Sequence, residues 1–182
     1  GHDGSFKTYI KQINFFINKG YDVLLIAMPL TGKNRKPVID VSNIGKIKLN
    51  NHDQMKFLEV KDKYSPLSYF LSPTNAFLKK AMELKTYNRI NMIGISGGGW
   101  TTIVFSAFNN LVDSSFSIAG GRPISLMFDN QFGDYEQTQP SFYSKFNYFD
   151  LYLMASFNEK DRRFFQVINK FEECCFKYWE LY

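Results

Sequence analysis

Histidine is almost missing from this chain. There are two, His2 and His52, and none follows position 52. Cysteine is equally scarce, a single adjacent pair at Cys174 and Cys175. Adjacent cysteines rarely bridge to each other, because disulfide geometry wants their Cα atoms farther apart. Free thiols are expected, and a metal site would need more ligands than the sequence places nearby. No apolar run reaches bilayer-crossing length, which excludes a transmembrane helix. Basic residues exceed acidic ones, for a net charge of +5, but the lysines are scattered. The densest basic stretch, Lys33 to Lys36, falls in an expected loop, whereas a nucleic-acid groove calls for clustering on one face. Internal repeats and low-complexity segments are absent too. The chain opens Gly1-His2-Asp3 without an initiator methionine or a signal-peptide pattern. It ends soon after an expected late strand. It therefore reads as a partial chain, and neither compartment nor oligomeric state is legible.

What is present is an ordinary globular composition. The 182 residues are 45% hydrophobic and 21% charged, enough for one domain with a substantial core. The 19 Phe and 11 Tyr are read as core filling rather than as a carbohydrate-stacking surface. Phe6, Tyr9, Ile10, Ile13, Phe16 and Ile17 share a helical face, and Gly20 is a natural stop. Tyr21 to Met28 is a near-continuous apolar run, expected as a parallel strand covered on both faces. Residues 37–71 form an excursion in which Val38 to Val41 and Lys46 to Leu49 suggest short strands. Asn50 to Asp53 reads as a surface turn, His52 included. Ser72-Pro73 is expected to cap a helix that ends near Tyr87-Asn88. Further strands are expected at Ile90 to Ile95, Ser115 to Ala119 and Leu151 to Ala155. Residues 122–148 form a second loop-rich excursion, and Phe164 to Phe176 is open between helix and strand. Strands alternating with helices give an α/β fold, mostly parallel, with helices on both faces.

One stretch carries chemistry. Ile90 to Ile95 runs into Gly94-Ile95-Ser96-Gly97-Gly98, and a helix follows from Trp100. G-x-S-x-G between a strand and a helix is the nucleophile-elbow pattern. Gly94 and Gly98 leave room for strand and helix to approach, and the turn exposes Ser96 Oγ. The Gly97 N–H then points toward a developing oxyanion. The competing reading is a glycine-rich turn that holds a phosphate at the helix N-terminus. It fits less well, because the sequence lacks G-x-G-x-x-G and any Gly-Lys-Ser/Thr.

The chain resembles the α/β-hydrolase superfamily, in particular bacterial serine-hydrolase-like proteins of the esterase or lipase type whose activity is poorly defined. The resemblance rests on Pro66-Leu67-Ser68-Tyr69-Phe70-Leu71, on Gly94 to Thr102 and on Ser117-Ile118-Ala119-Gly120-Gly121 with Pro123. Gly133 to Glu136, Phe149 to Tyr152 and Gln166 to Asn169 running into Cys174-Cys175-Phe176 extend it. It implies one hydrolase-type domain over residues 1–182, incomplete at one or both ends. It implies Ser96 as nucleophile, with an acid and a histidine following in that order. Both histidines precede Ser96, so the expected base lies beyond Tyr182, with His2 and His52 as non-standard alternatives. Asp161, soon after the expected strand Leu151 to Ala155, and Glu172, just before Cys174, are the candidate acids. A surface ion pair of Asp161 with Arg162 or Arg163 is the alternative for the former. Asp3 or Gly4, in a His-Asp-Gly loop, would supply the second oxyanion N–H beside that of Gly97.

The implied activity is cleavage of a carboxylic ester through an acyl-enzyme on Ser96. The substrate would be a small-molecule, glycan or lipid ester, with no metal or organic cofactor. The rivals are a non-catalytic binding protein on the same fold and an acyltransferase.

Overall fold

The computed structural model describes residues 5–34, 36–60, 63–127, 133–157 and 161–171. These residues group into two compact units, one ending at Thr86 and the other beginning at Tyr87.

In the first unit, a 3-10 turn at Phe6–Tyr9 leads into helix α1, Ile10–Asn18. Gly20, at φ 84°, ends the helix as expected. Strands β1, Val38–Val41, and β2, Gly45–Lys48, pair antiparallel, with Val38 opposite Lys48 and Val41 opposite Gly45. Helix α2 spans Ser68–Leu84 and buries Phe70, Thr74 and Leu78. The expected start at Ser72-Pro73 is wrong: Pro73 lies inside α2. Leu67, Phe70, Thr74 and Leu78 fall at helical spacing and are all buried. That continuous inner face carries the helix across the proline, which removes one backbone donor.

Two more expectations fail in this unit. Tyr21 to Met28 forms no strand, and Tyr21, Val23, Leu24 and Leu25 are exposed. Its backbone is held by local bonds instead. Tyr21 N–H donates to Phe16 O, and the Met28 carbonyl accepts from Asn34 Nδ2 at 2.6 Å and Thr31 Oγ1 at 2.9 Å. An apolar run states a preference for burial; it does not supply a pairing partner. His52 is no surface residue either. It opens a 3-10 helix, His52–Leu58, capped by the Asn51 side chain, and is only 3% exposed.

The second unit is mixed α/β. Strands β3 (Asn91–Ile95), β4 (Ser114–Ile118) and β5 (Arg163–Val167) form a three-stranded sheet in the order β3-β4-β5. Both pairings are parallel, aligning Ile95 with Ile118 and Ile118 with Val167. Helix α3, Gly97–Phe108, joins β3 to β4. After β4 come a 3-10 turn at Ile124–Leu126 and the short helices α4, Tyr135–Thr138, and α5, Pro140–Tyr143. Helix α6, Tyr148–Ser156, precedes β5.

Helix α6 replaces the strand expected at Leu151 to Ala155. Asn147 accepts from the Asp150 N–H at 3.1 Å, and Asp150 accepts from the Asn147 N–H at 3.0 Å. This reciprocal cap fixes a helix start, and Tyr148, Leu151 and Ala155 then share a buried stripe. Strand order also corrects the two-sided coverage within this unit. The strands advance in one direction, so right-handed crossovers bring α3 and α6 to the same face. The other face carries Ile93, Ile95, Phe165 and Val167, each at least 40% exposed. Phe116 and Phe165 stack across it, with centroids 4.8 Å apart.

Candidate active site

The geometry begins with a steric constraint at Gly94. A Cβ there would collide with the carbonyl of Gly98, so the strand can approach the start of α3 only without a side chain. The second close approach lies one layer along. A Cβ on Gly99 would sit 2.7 Å from Gly120 Cα and 2.9 Å from Ile118 O. Backbone therefore packs directly on backbone where β3, α3 and the end of β4 meet.

Ser96 occupies the turn between β3 and α3 at φ 56° and ψ −126°. A non-glycine residue at positive φ carries strain on the order of 1–3 kcal/mol, which the surroundings must hold. Here the Ser96 N–H donates to Ile118 O at 2.8 Å, and the Ser96 carbonyl accepts from Trp100 N–H at 3.0 Å. The side chain is half-buried, so it stays within reach of a ligand. Gly97 opens α3 and is buried. The first N–H groups of a helix have no acceptor within it and stand at the positive end of its dipole. Gly97 to Gly99 thus present donors beside Ser96, at the C-terminal end of parallel strands, where such sheets bind ligands.

The loop after β4 forms the adjoining wall. Ala119 N–H donates to Val167 O at 2.9 Å, extending the ladder by one bond. Gln137 Nε2 donates to Gly120 O at 3.1 Å, and Gln166 Nε2 donates to Gly121 O at 2.6 Å. Tyr152 OH reaches the same Gly121 carbonyl at 3.3 Å. Three side chains from α4, α6 and β5 therefore hold two successive peptides. Behind them, Trp100 Nε1 donates to Tyr143 OH at 2.7 Å, and Tyr148 OH donates to Gln137 O at 3.0 Å. Burial pushes the Tyr143 and Tyr148 hydroxyls well above the usual tyrosine range, so both remain neutral hydrogen-bonding groups.

The structure does not bring Asp161 to this site. Ser96 follows the last residue of β3, while Asp161 precedes the first residue of β5. The strands are parallel and in register, so the two residues sit at opposite ends of the sheet. Five residues of strand separate those ends by about 16 Å. Asp161 instead pairs with Arg163 Nη2 at 2.8 Å, with its side chain 81% exposed. The ion-pair alternative is the one observed. The misplacement follows from the strand expected at Leu151 to Ala155: once that segment is a helix, Asp161 comes before the next strand and not after one.

Among the other candidates, His52 Nε2 lies 2.8 Å from Pro29 O, and its ring packs edge-on against Phe70. His2, Asp3, Gly4 and Glu172 lie outside the described residues, as do Cys174 and Cys175. The chain leaving β5 at Val167 does so at the Ser96 end of the sheet, and Glu172 follows it in sequence. Sequence reading missed Gln137, Gln166 and Tyr152 as wall-holding residues. Gly120-Gly121 was the available signal, because paired glycines after a strand mark a close approach.

Compared with protein-family models, with curated proteins and with solved structures, the chain has no significant match.

Proposed function

We propose that this chain carries the nucleophile of an α/β-hydrolase-type serine hydrolase acting on a carboxylic ester. The observation that carries the reading is Ser96 at φ 56° and ψ −126° between a parallel strand and a helix, with Gly94 against the Gly98 carbonyl. A strained serine at this junction has little use in a plain turn, where glycine would relieve it.

In this reading Ser96 Oγ attacks the ester carbonyl carbon, and the carbonyl electron pair moves onto oxygen. The Gly97 N–H holds that oxyanion; a donor of this kind is worth about 10²–10³ in rate. A histidine takes the Oγ proton and returns it to the departing alcohol, leaving an acyl group on Ser96. Water then releases the acid by the reverse sequence. We assign the base to a histidine outside these 182 residues and its orienting carboxylate to Glu172. His52 is engaged with Pro29. The substrate is a small-molecule, glycan or lipid ester, recognised outside the residues that define the elbow.

Labelling the entire gene product with a serine-reactive fluorophosphonate, beside Ser96→Ala, tests this. Covalent labelling that disappears in Ser96→Ala supports the reading. A folded protein that does not label supports a binding protein on the same scaffold and rejects the enzyme.

A further inference from the structure

Three glycines in a row, Gly97 to Gly99, open α3. Glycine is the residue least able to hold a backbone orientation by itself. Yet the site needs the N–H groups of this turn to keep their aim, because a preorganised donor loses most of its value when it can swing away. The backbone ladder of α3 holds these peptides, and two hydroxyls further along the helix add a second bond to two of them.

A peptide unit is planar and trans, so its C=O and N–H point in opposite directions and turn together. Holding a carbonyl therefore aims the N–H of the next residue. The Ser96 carbonyl, which sets the Gly97 N–H, accepts from Trp100 N–H at 3.0 Å. The Gly97 carbonyl, which sets the Gly98 N–H, accepts from Thr101 Oγ1 at 3.0 Å. The Gly98 carbonyl, which sets the Gly99 N–H, accepts from Thr102 Oγ1 at 2.9 Å. Both threonines are buried, at 8% and 0% exposure.

We propose that Thr101 and Thr102 are positioning residues that aim the Gly98 and Gly99 N–H groups at the ligand space beside Ser96. This extends the donor set for the oxyanion beyond Gly97, and it rests on the reading of Ser96 as nucleophile. The alternative is a buried hydroxyl bonding to the carbonyl four residues back merely to satisfy itself. Helix α3 contains its own control. Its third hydroxyl residue, Ser106, is fully buried, and its Oγ has no hydrogen-bond partner among the described residues. Of the three hydroxyls in α3, the two that bond to the carbonyl four residues back are those that reach the elbow glycines. Valine would fill both threonine positions with the same shape and without a buried polar group.

The test compares fluorophosphonate labelling rates of the entire gene product with Thr101→Val, Thr102→Val, Thr101→Ser and Thr102→Ser. Valine at either position should slow labelling about tenfold, less than outright loss of a donor. Serine keeps the hydroxyl and should stay within about threefold of wild type. Folded valine variants that label at the wild-type rate would overturn the proposal, as would serine variants as slow as valine. If the valine variants do not fold, proton NMR of the wild type decides. Both threonine hydroxyl protons should exchange slowly, and rapid exchange at either overturns the proposal. If the wild type does not label at all, the hydrolase reading falls separately. Amide exchange then judges the positioning: Gly98 and Gly99 should exchange faster in the valine variants than in wild type, and unchanged exchange refutes it.

Discussion

The two ends of the three-stranded sheet are built from opposite materials. At the C-terminal end, Gly94, Gly98, Gly99 and Gly120 bring backbone against backbone, Gly121 packs against the Tyr148 ring, and the side chains that hydrogen-bond this stretch are neutral: Gln137, Gln166, Tyr152, Thr101 and Thr102. At the N-terminal end charge is concentrated. Asp113 Oδ2 accepts from the Ile90 N–H at 2.7 Å, and Asp161 pairs with Arg163. Arg162 donates to the carbonyls of Ser106, Asn109, Val112 and Met154. Charged side chains are where a search for catalysis begins, yet here they tie strand and helix ends together. The side chains that hold the glycine-rich end by hydrogen bonds are neutral, and the charged residues beside them in sequence, Arg122 after Gly121 and Glu136 before Gln137, are buried. The reactivity of this end, in the proposed function, depends on one strained serine and on backbone N–H groups whose aim is fixed by neutral hydrogen bonds.

Substitutions at the two ends should separate these roles. The largest effect is expected at Gly94. Gly94→Ala puts a methyl against the Gly98 carbonyl, where neither backbone can retreat. Overpacking of this kind should destabilise by about 3 kcal/mol or more, read as a fall in the urea midpoint; an unchanged midpoint would mean the strand–helix approach is looser than described. Next is Arg162→Met, which keeps the apolar stem and leaves four carbonyls without their shared donor. A loss of about 2–3 kcal/mol is expected, with the fluorophosphonate rate per folded molecule unchanged, since the change is at the far end.

How much of this was legible in the sequence follows the same division. The elbow was legible because its steric demand is local: a glycine two residues before a serine and another two after it say that a strand meets a helix. The two short strands were legible at Val38 to Val41 and, from its alternation, at Lys46 to Leu49, while their antiparallel pairing was not. The strand-like reading of Leu151 to Ala155 failed because five apolar residues do not distinguish the two periods. The deciding signal, Asn147 with Asp150 three residues on, lay upstream. That one error carried Asp161 to the wrong end of the sheet. Tyr21 to Met28 failed for another reason, since pairing is a property of neighbours. His52 looked like a surface turn from its polar flanks, and its contact with Pro29, 23 residues away, leaves no local trace. Gln137 and Gln166 are invisible for the same reason.

Alkaline pH offers a third contrast. Tyr143 and Tyr148 are held neutral by burial, with folded-state pKa values above the ordinary 10. Their contribution is fully present below pH 10 and is lost as pH rises further, because the unfolded chain ionises first. The urea midpoint should therefore fall as pH rises above about 10, and Tyr143→Phe should make that fall shallower. A midpoint that does not move over this range would contradict the described burial. Smaller again is Ser96→Gly. Removing a side chain at φ 56° should raise stability by about 1 kcal/mol while abolishing labelling; a loss of stability would show that Ser96 is not strained. Asp161→Asn should do least. Its partner is an exposed arginine, so stability should change by less than about 0.5 kcal/mol, and labelling should match wild type.

The most direct measurement is the site of covalent modification. The entire gene product is treated with a fluorophosphonate, digested and mapped by mass spectrometry. One adduct is expected, on the peptide containing Gly94-Ile95-Ser96-Gly97-Gly98 and on Ser96 within it. A folded protein with no adduct, or with its adduct on another residue, would contradict it.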